Sequence, residues 1–139
     1  MIIDLHTHTM YSYDAENKPV SAHVQAAVQR HVDVLGFTEH VDFFRGELLQ
    51  ESDFSGETVD FEGYRREIEP FRRGRVIPSD LTAQQKEIEA CRETYGRKIT
   101  LRAGVEMGQP HAAPELADAL LETYAFDYVI GSIHQLSND

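Results

Sequence analysis

The stretch MIIDLHTHTMYSYDA, residues 1–15, places two histidines, His6 and His8, at the end of the chain's first apolar run. Residues i and i+2 of an extended strand share a face, so both imidazoles can point to one spot. Three further apolar runs end in the same kind of residue. Val34 to Thr38 leads into Glu39 and His40, Ile99 leads to Glu106, and Tyr128 leads to His134. Runs this short, rich in Val and Ile and bounded by polar segments, read as buried parallel strands. In α/β folds the carboxyl ends of such strands converge on one face, where ligands bind. Four strands that each deliver His or Glu to that face are hard to ascribe to packing.

The segments between the runs read as helices. The first begins near Pro19, a residue suited to a helix start, carries Val20, Val24, Ala27 and Val28 on one face and ends before Val34. Phe61, Tyr64, Ile68 and Phe71 recur at helical spacing, and a further helix is expected from Thr82, with Gln85 completing a capping box. Its apolar positions include Ile88, Cys91 and Tyr95, and Gly96 is a natural stop. The last helix starts at Pro114 and uses Leu116, Leu120, Leu121 and Tyr124. The order β-α-β-α-α-β-α-β implies an α/β fold with a parallel sheet, open or curled into a barrel. The stretch from Val41 to Thr58 is the least regular and reads as a long loop beside the site.

A chain of 139 residues suits a single domain with its own core. Its formal net charge of −11 repels polyanions, which argues against a nucleic-acid partner. Arg72, Arg73 and Arg75 form the nearest basic cluster and read as a solvated turn. An acidic protein that handles a phosphorylated substrate therefore needs a local positive centre, and bound metal supplies one. The single cysteine, Cys91, reads as a buried small hydrophobe and favours a reducing compartment. With no leader-like segment and no membrane-length apolar run, the expected location is cytoplasmic.

The histidines divide into two sets. His6, His8, His40 and His134 sit at strand ends, whereas His23 and His31 fall within the expected first helix and take ordinary helix-face roles. His111, in the loop QPHAAP, suits a capping or surface role.

Taken together, DLHTH at 4–8, GFTEH at 36–40, GVEMG at 104–108 and GSIH at 131–134 resemble the successive motifs of the PHP (polymerase and histidinol phosphatase) superfamily. With FDYVIGSIH at 126–134, the chain most resembles the histidinol-phosphatase branch. The resemblance implies a distorted barrel of seven parallel strands, a (β/α)7 barrel, of which this chain holds about the first four. It also implies a cluster of two or three divalent ions. His6, His8, Asp14, His40, Glu106 and His134 match its ligand positions, with Glu106 as the bridging carboxylate. Glu39 faces away from His40 and is kept as a supporting residue. The family pattern adds a later histidine and an Asp-x-His pair that this sequence lacks, so residues 1–139 are expected to be one domain, incomplete at its carboxyl end, with a tendency to self-associate.

Imidazoles and carboxylates without thiolates suit Zn, Mn or Fe. The expected activity is hydrolysis of a small phosphate monoester, which the resemblance makes L-histidinol phosphate. Glu106, His8 and His134 carry the reaction, chiefly as ligands. Two alternatives stand beside it: a PHP-type exonuclease or other phosphoesterase, and a non-catalytic metal-binding or self-associating fragment.

Overall fold

The computed structural model describes residues 1–12, 15, 17–43 and 78–134. Its strands are β1 (Ile3–Thr7), β2 (Val34–Asp42), β3 (Thr100–Gly108) and β4 (Tyr128–Ser132). The helices are α1 (Val20–Gln29), α2 (Pro78–Tyr95) and α3 (Pro114–Thr123), with a short 3₁₀ turn at Pro110–Ala112. All strand pairs are parallel and the sheet order is β1-β2-β3-β4, as expected from the alternation of strands and helices. Sequential order of this kind is how the strands of an α/β barrel follow one another.

Alternation along each strand divides the sheet into two faces. Leu35, Phe37, Leu101 and Ala103 pack against Val20, Val24 and Ala27 of α1 and Ile88 and Cys91 of α2. Val41, Val105 and Met107 continue this face beneath Ala117 and Leu120 of α3. The even-numbered residues of β2 and β3, including Gly36, His40, Gly104 and Glu106, consequently line the opposite, inner face. No helix among the described residues is long and apolar enough to cross a membrane.

The inner face is curled. A flat sheet would hold β1 and β4 about 14 Å apart, three interstrand steps, yet the Tyr128 hydroxyl on β4 donates to the Leu5 carbonyl on β1 at 2.7 Å. The ring reaches across because Gly104 and Gly36 leave it room; a Cβ on Gly104 would lie 2.6 Å from the ring.

Four details differ from the sequence reading. β2 runs on to Asp42, so Val41 and Asp42 belong to the strand and not to the loop expected from Val41 to Thr58, of which positions 44–58 lie outside the described residues. α2 begins at Pro78, whose fixed φ suits a helix start, and the Thr82–Gln85 capping box does not form. Thr82 Oγ1 instead lies 3.3 Å from the Tyr124 hydroxyl, and Gln85 Nε2 donates to the Ala125 carbonyl at 3.3 Å. Leu121 is 43% exposed, because Ala117 and Leu120 take the buried stripe of α3. His31 lies past the end of α1, in a left-handed conformation with φ of 58°. The helix expected at Phe61–Phe71, the arginines at 72, 73 and 75, and Asp14 lie outside the described residues.

Candidate metal centre

A local irregularity aims the first two histidines. Asp4 pairs with Leu35 and Thr7 with Phe37, so β1 spends three residues where β2 spends two. Paired residues of parallel strands point the same way, so Asp4 and Thr7 both lie on the side of Leu35 and Phe37. In an unbroken register His6 would pair with Phe37 and face the helices. The extra residue reverses the alternation and turns His6 and His8 to the inner face, a use of bulges that recurs beside functional sites. The His6 backbone N–H, displaced from the ladder, donates to Asp4 Oδ1 at 3.2 Å.

On the inner face the histidines meet Glu106. His6 Nε2, His8 Nε2 and His40 Nδ1 lie 2.9, 3.4 and 3.2 Å from Glu106 Oε2, and His134 Nε2 lies 3.0 Å from Oε1. The rings pack on one another: His8 and His40 stack with centroids 4.1 Å apart, and His40 and His134 meet edge-on at 4.8 Å. β2 and β3 set this meeting point directly, because His40 and Glu106 are register partners.

Three ring nitrogens converge on one carboxylate oxygen, more than its two lone pairs can serve as hydrogen-bond acceptors. Four crowded imidazoles would also repel one another if all were protonated. Neutral rings that turn lone pairs toward a shared cation relieve both problems, so the donor set fits divalent metal. The ligand atoms sort into two groups, His6, His8 and Glu106 in one and His40, Asp42 and His134 in the other, each spanning no more than 4.8 Å.

The electrostatics suit the same use. Burial opposes ionisation of Glu106, but hydrogen bonds with Ser132, His134 and His6 and the nearby His40 outweigh it and hold the carboxyl down to about 2. Burial, reinforced by His40, lowers the His8 imidazole, which favours the neutral ligand form. Burial also works against the charged form of His134, but Glu106 and Asp42 prevail and raise it.

Glu39 points to the other side of β2, as expected, and is 1% exposed. It accepts hydrogen bonds from the Thr9 N–H at 3.0 Å, Thr9 Oγ1 at 2.7 Å, Ser12 Oγ at 2.5 Å and Gln84 Nε2 at 3.3 Å. Ser12 Oγ also accepts from the His40 N–H at 3.1 Å and lies 3.4 Å from His8 Nδ1. The turn after β1 is thereby tied to β2 directly beneath two of the imidazoles.

Two contributors escaped the sequence reading. Asp42 lies 2.8 Å from His134 Nδ1, and Ser132 Oγ donates to Glu106 Oε1 at 2.5 Å. Asp42 carried a legible signal: it stands two residues after His40 on one strand, as His8 stands after His6. The structure thus gathers His6, His8, His40, Glu106 and His134. His23 and His31 lie at α1 and its end, outside this cluster, and His111 is exposed in the 3₁₀ turn.

A family model described as PHP domain matches residues 4–139. A histidinol-phosphatase of Lactococcus lactis subsp. lactis is 26% identical over 136 residues, covering 98% of this chain and 40% of the relative. A probable histidinol-phosphatase of Clostridium acetobutylicum is 25% identical over 140 residues, covering 99% and 41%. Among solved structures, histidinol phosphate phosphatase of Lactococcus lactis, complexed with zinc, L-histidinol and phosphate, shares the fold with a TM-score of 0.68 at 23% identity, over 99% of this chain and 41% of that one. The chain therefore spans about two fifths of the length of these relatives. With a family match running over nearly all its residues and four strands that bring the expected side chains to one face, the chain belongs to the PHP domain family.

Proposed function

We propose that the protein acts as a metal-dependent phosphatase on small phosphate monoesters, with L-histidinol phosphate as its substrate. The observation that carries this reading is the convergence of three imidazole nitrogens on Glu106 Oε2 while a fourth approaches Oε1. His6, His8, Asp14, His40, Glu106 and His134 are the proposed ligands, and Glu106, approached by His6, His8 and His40 at Oε2 and by His134 at Oε1, is the proposed bridge. Divalent ions held there would bring the pKa of a bound water toward neutrality and offset charge on the phosphoryl oxygens. His8, lowered by burial, keeps its lone pair available near neutral pH. Ser132 and the rings around Glu106 keep the carboxylate ionised and fixed in place. The zinc, L-histidinol and phosphate in the related crystal structure support zinc as the ion and histidinol phosphate as the substrate.

The test is metal analysis and phosphate release on one preparation, with L-histidinol phosphate compared against other phosphate monoesters. The expected result is divalent metal in the protein and fastest release from histidinol phosphate. Glu106→Gln should abolish most of both, because a neutral amide bridges two cations poorly, while His23→Ala and His31→Ala should retain turnover. Failure to bind zinc, manganese or iron would remove the reading. Metal binding without release from any monoester would reduce it to a binding role.

A further inference from the structure

His134 presents its two ring nitrogens to two different carboxylates: Nε2 lies 3.0 Å from Glu106 Oε1, and Nδ1 lies 2.8 Å from Asp42 Oδ1. A neutral imidazole carries one N–H and one lone pair, so the nitrogen that keeps the proton decides which one can bind a cation. Two features favour the proton on Nδ1. Glu106 Oε1 already accepts from Ser132 Oγ at 2.5 Å, and the Asp42 contact is the shorter of the two imidazole–carboxylate approaches. A third feature is steric. Gly108 is the register partner of both Asp42 and Ser132, and a Cβ there would overlap Asp42 Oδ1 and lie 2.6 Å from His134 Nδ1. The absence of a side chain at Gly108 makes the space in which the pair forms.

We infer that Asp42 is a positioning residue that acts through His134: its carboxylate accepts a hydrogen bond from the Nδ1–H and leaves the Nε2 lone pair facing the Glu106 pocket, in a space kept open by Gly108. The consequence for metal rests on the ligand role proposed for His134; the tautomer itself does not. The competing role for Asp42 is direct ligation, since its carboxylate also falls in the donor group of His40 and His134.

Imidazole nitrogen NMR on the metal-free protein, at alkaline pH where the ring is neutral, reads the tautomer without reference to activity. His134 should hold its proton mainly on Nδ1. Asp42→Ala should move the proton to Nε2, where Glu106 can accept it. Gly108→Ala should do the same with the carboxylate still present, because the added Cβ would meet the Asp42 and His134 side chains where they pair. Zinc titration gives the second readout. Loss of a partner that orients a ligating histidine weakens metal binding by roughly 10- to 100-fold, so Asp42→Ala should show a loss of this size. In a His134→Ala background the same substitution should cost nothing further. An unchanged tautomer in Asp42→Ala would overturn the inference, as would zinc losses from the two substitutions that simply multiply, which would make Asp42 an independent ligand. If the unaltered protein binds no zinc, the metal reading falls and the tautomer alone decides the role of Asp42.

Discussion

The Tyr128 hydroxyl and the Leu5 carbonyl, 2.7 Å apart, join the last strand of the sheet to the first across two intervening strands. Burial, together with Asp4 and Asp127, pushes the hydroxyl up to about 12, so it remains a donor at neutral pH. The ring's path over Gly36 and Gly104 makes those positions sensitive to any added side chain. Gly104→Ala should destabilise by about 1–3 kcal/mol through overpacking. Tyr128→Phe, which removes only the hydrogen bond, should cost about 0.5–1.5 kcal/mol. Urea unfolding checks both, and an unchanged midpoint for Gly104→Ala would show that the ring is not confined.

Glu39 gives a second stability prediction with a functional echo. Removing its carboxylate strands buried donors from Thr9, Ser12 and Gln84, each unsatisfied group costing about 1–3 kcal/mol. Glu39→Ala should therefore cost at least about 3 kcal/mol, well above the loss of about 1 kcal/mol usual for a point substitution. Glu39→Gln keeps an acceptor oxygen and should cost less. Because Ser12 links this network to His8 and His40, the alanine variant should also bind zinc more weakly. Thermal unfolding and zinc titration on the same variants would show whether the two losses travel together.

The strand ends could be read from sequence because a run of Val and Ile followed by His or Glu combines two signals, buried extended backbone and a polar terminus. That pattern located His6, His8, His40, Glu106 and His134 and the parallel sheet that unites them. The bulge between Asp4 and Thr7 was not legible, since no turn residue marks it; it arises from register against β2, a relation between distant segments. Asp42 was legible in principle, two residues after His40, but its partner lies 92 residues away in sequence. The Thr82–Gln85 motif failed for a related reason, as tertiary partners at Tyr124 and Ala125 claimed both side chains. Leu121 fits the helical period as well as Leu120 does, and only the placement of α3 on the sheet decides between them.

His31 offers a stabilising substitution. It follows the C-cap residue Arg30 with φ of 58°, its N–H donates to the Val28 carbonyl at 3.2 Å, and the Val32 N–H donates to the Ala27 carbonyl at 3.0 Å. This paired pattern closes a helix around a left-handed residue, a position that glycine fills without steric cost. His31→Gly should stabilise the protein by about 0.5–1 kcal/mol, the gain from relieved strain exceeding the added freedom of the unfolded chain. A lower melting temperature for this variant would mean that the imidazole contributes more than its backbone strain costs.

Asp127 predicts how stability depends on pH. Burial opposes its ionisation, but the Ala103 N–H at 2.8 Å and the guanidinium groups of Arg92 at 2.8 Å and Arg102 at 3.4 Å outweigh burial and lower the carboxyl. A carboxyl lowered in the folded state and near 3.9 in the unfolded chain leaves the unfolded state binding more protons between those two values. Its contribution is therefore full above the unfolded value and is lost as pH falls through the folded one. Asp127→Asn keeps an oxygen for Ala103 but gives up both ion pairs, so it should be less stable than the unaltered protein at neutral pH, by roughly 1–2 kcal/mol. Below about pH 4 the difference should narrow, because the carboxyl of the unfolded chain then takes up protons while the folded one stays charged until its own lower value is passed. Denaturant unfolding of both proteins from neutral pH into acid would trace the difference, and a gap that stays constant would show that the ion pairs with Arg92 and Arg102 do not carry the effect.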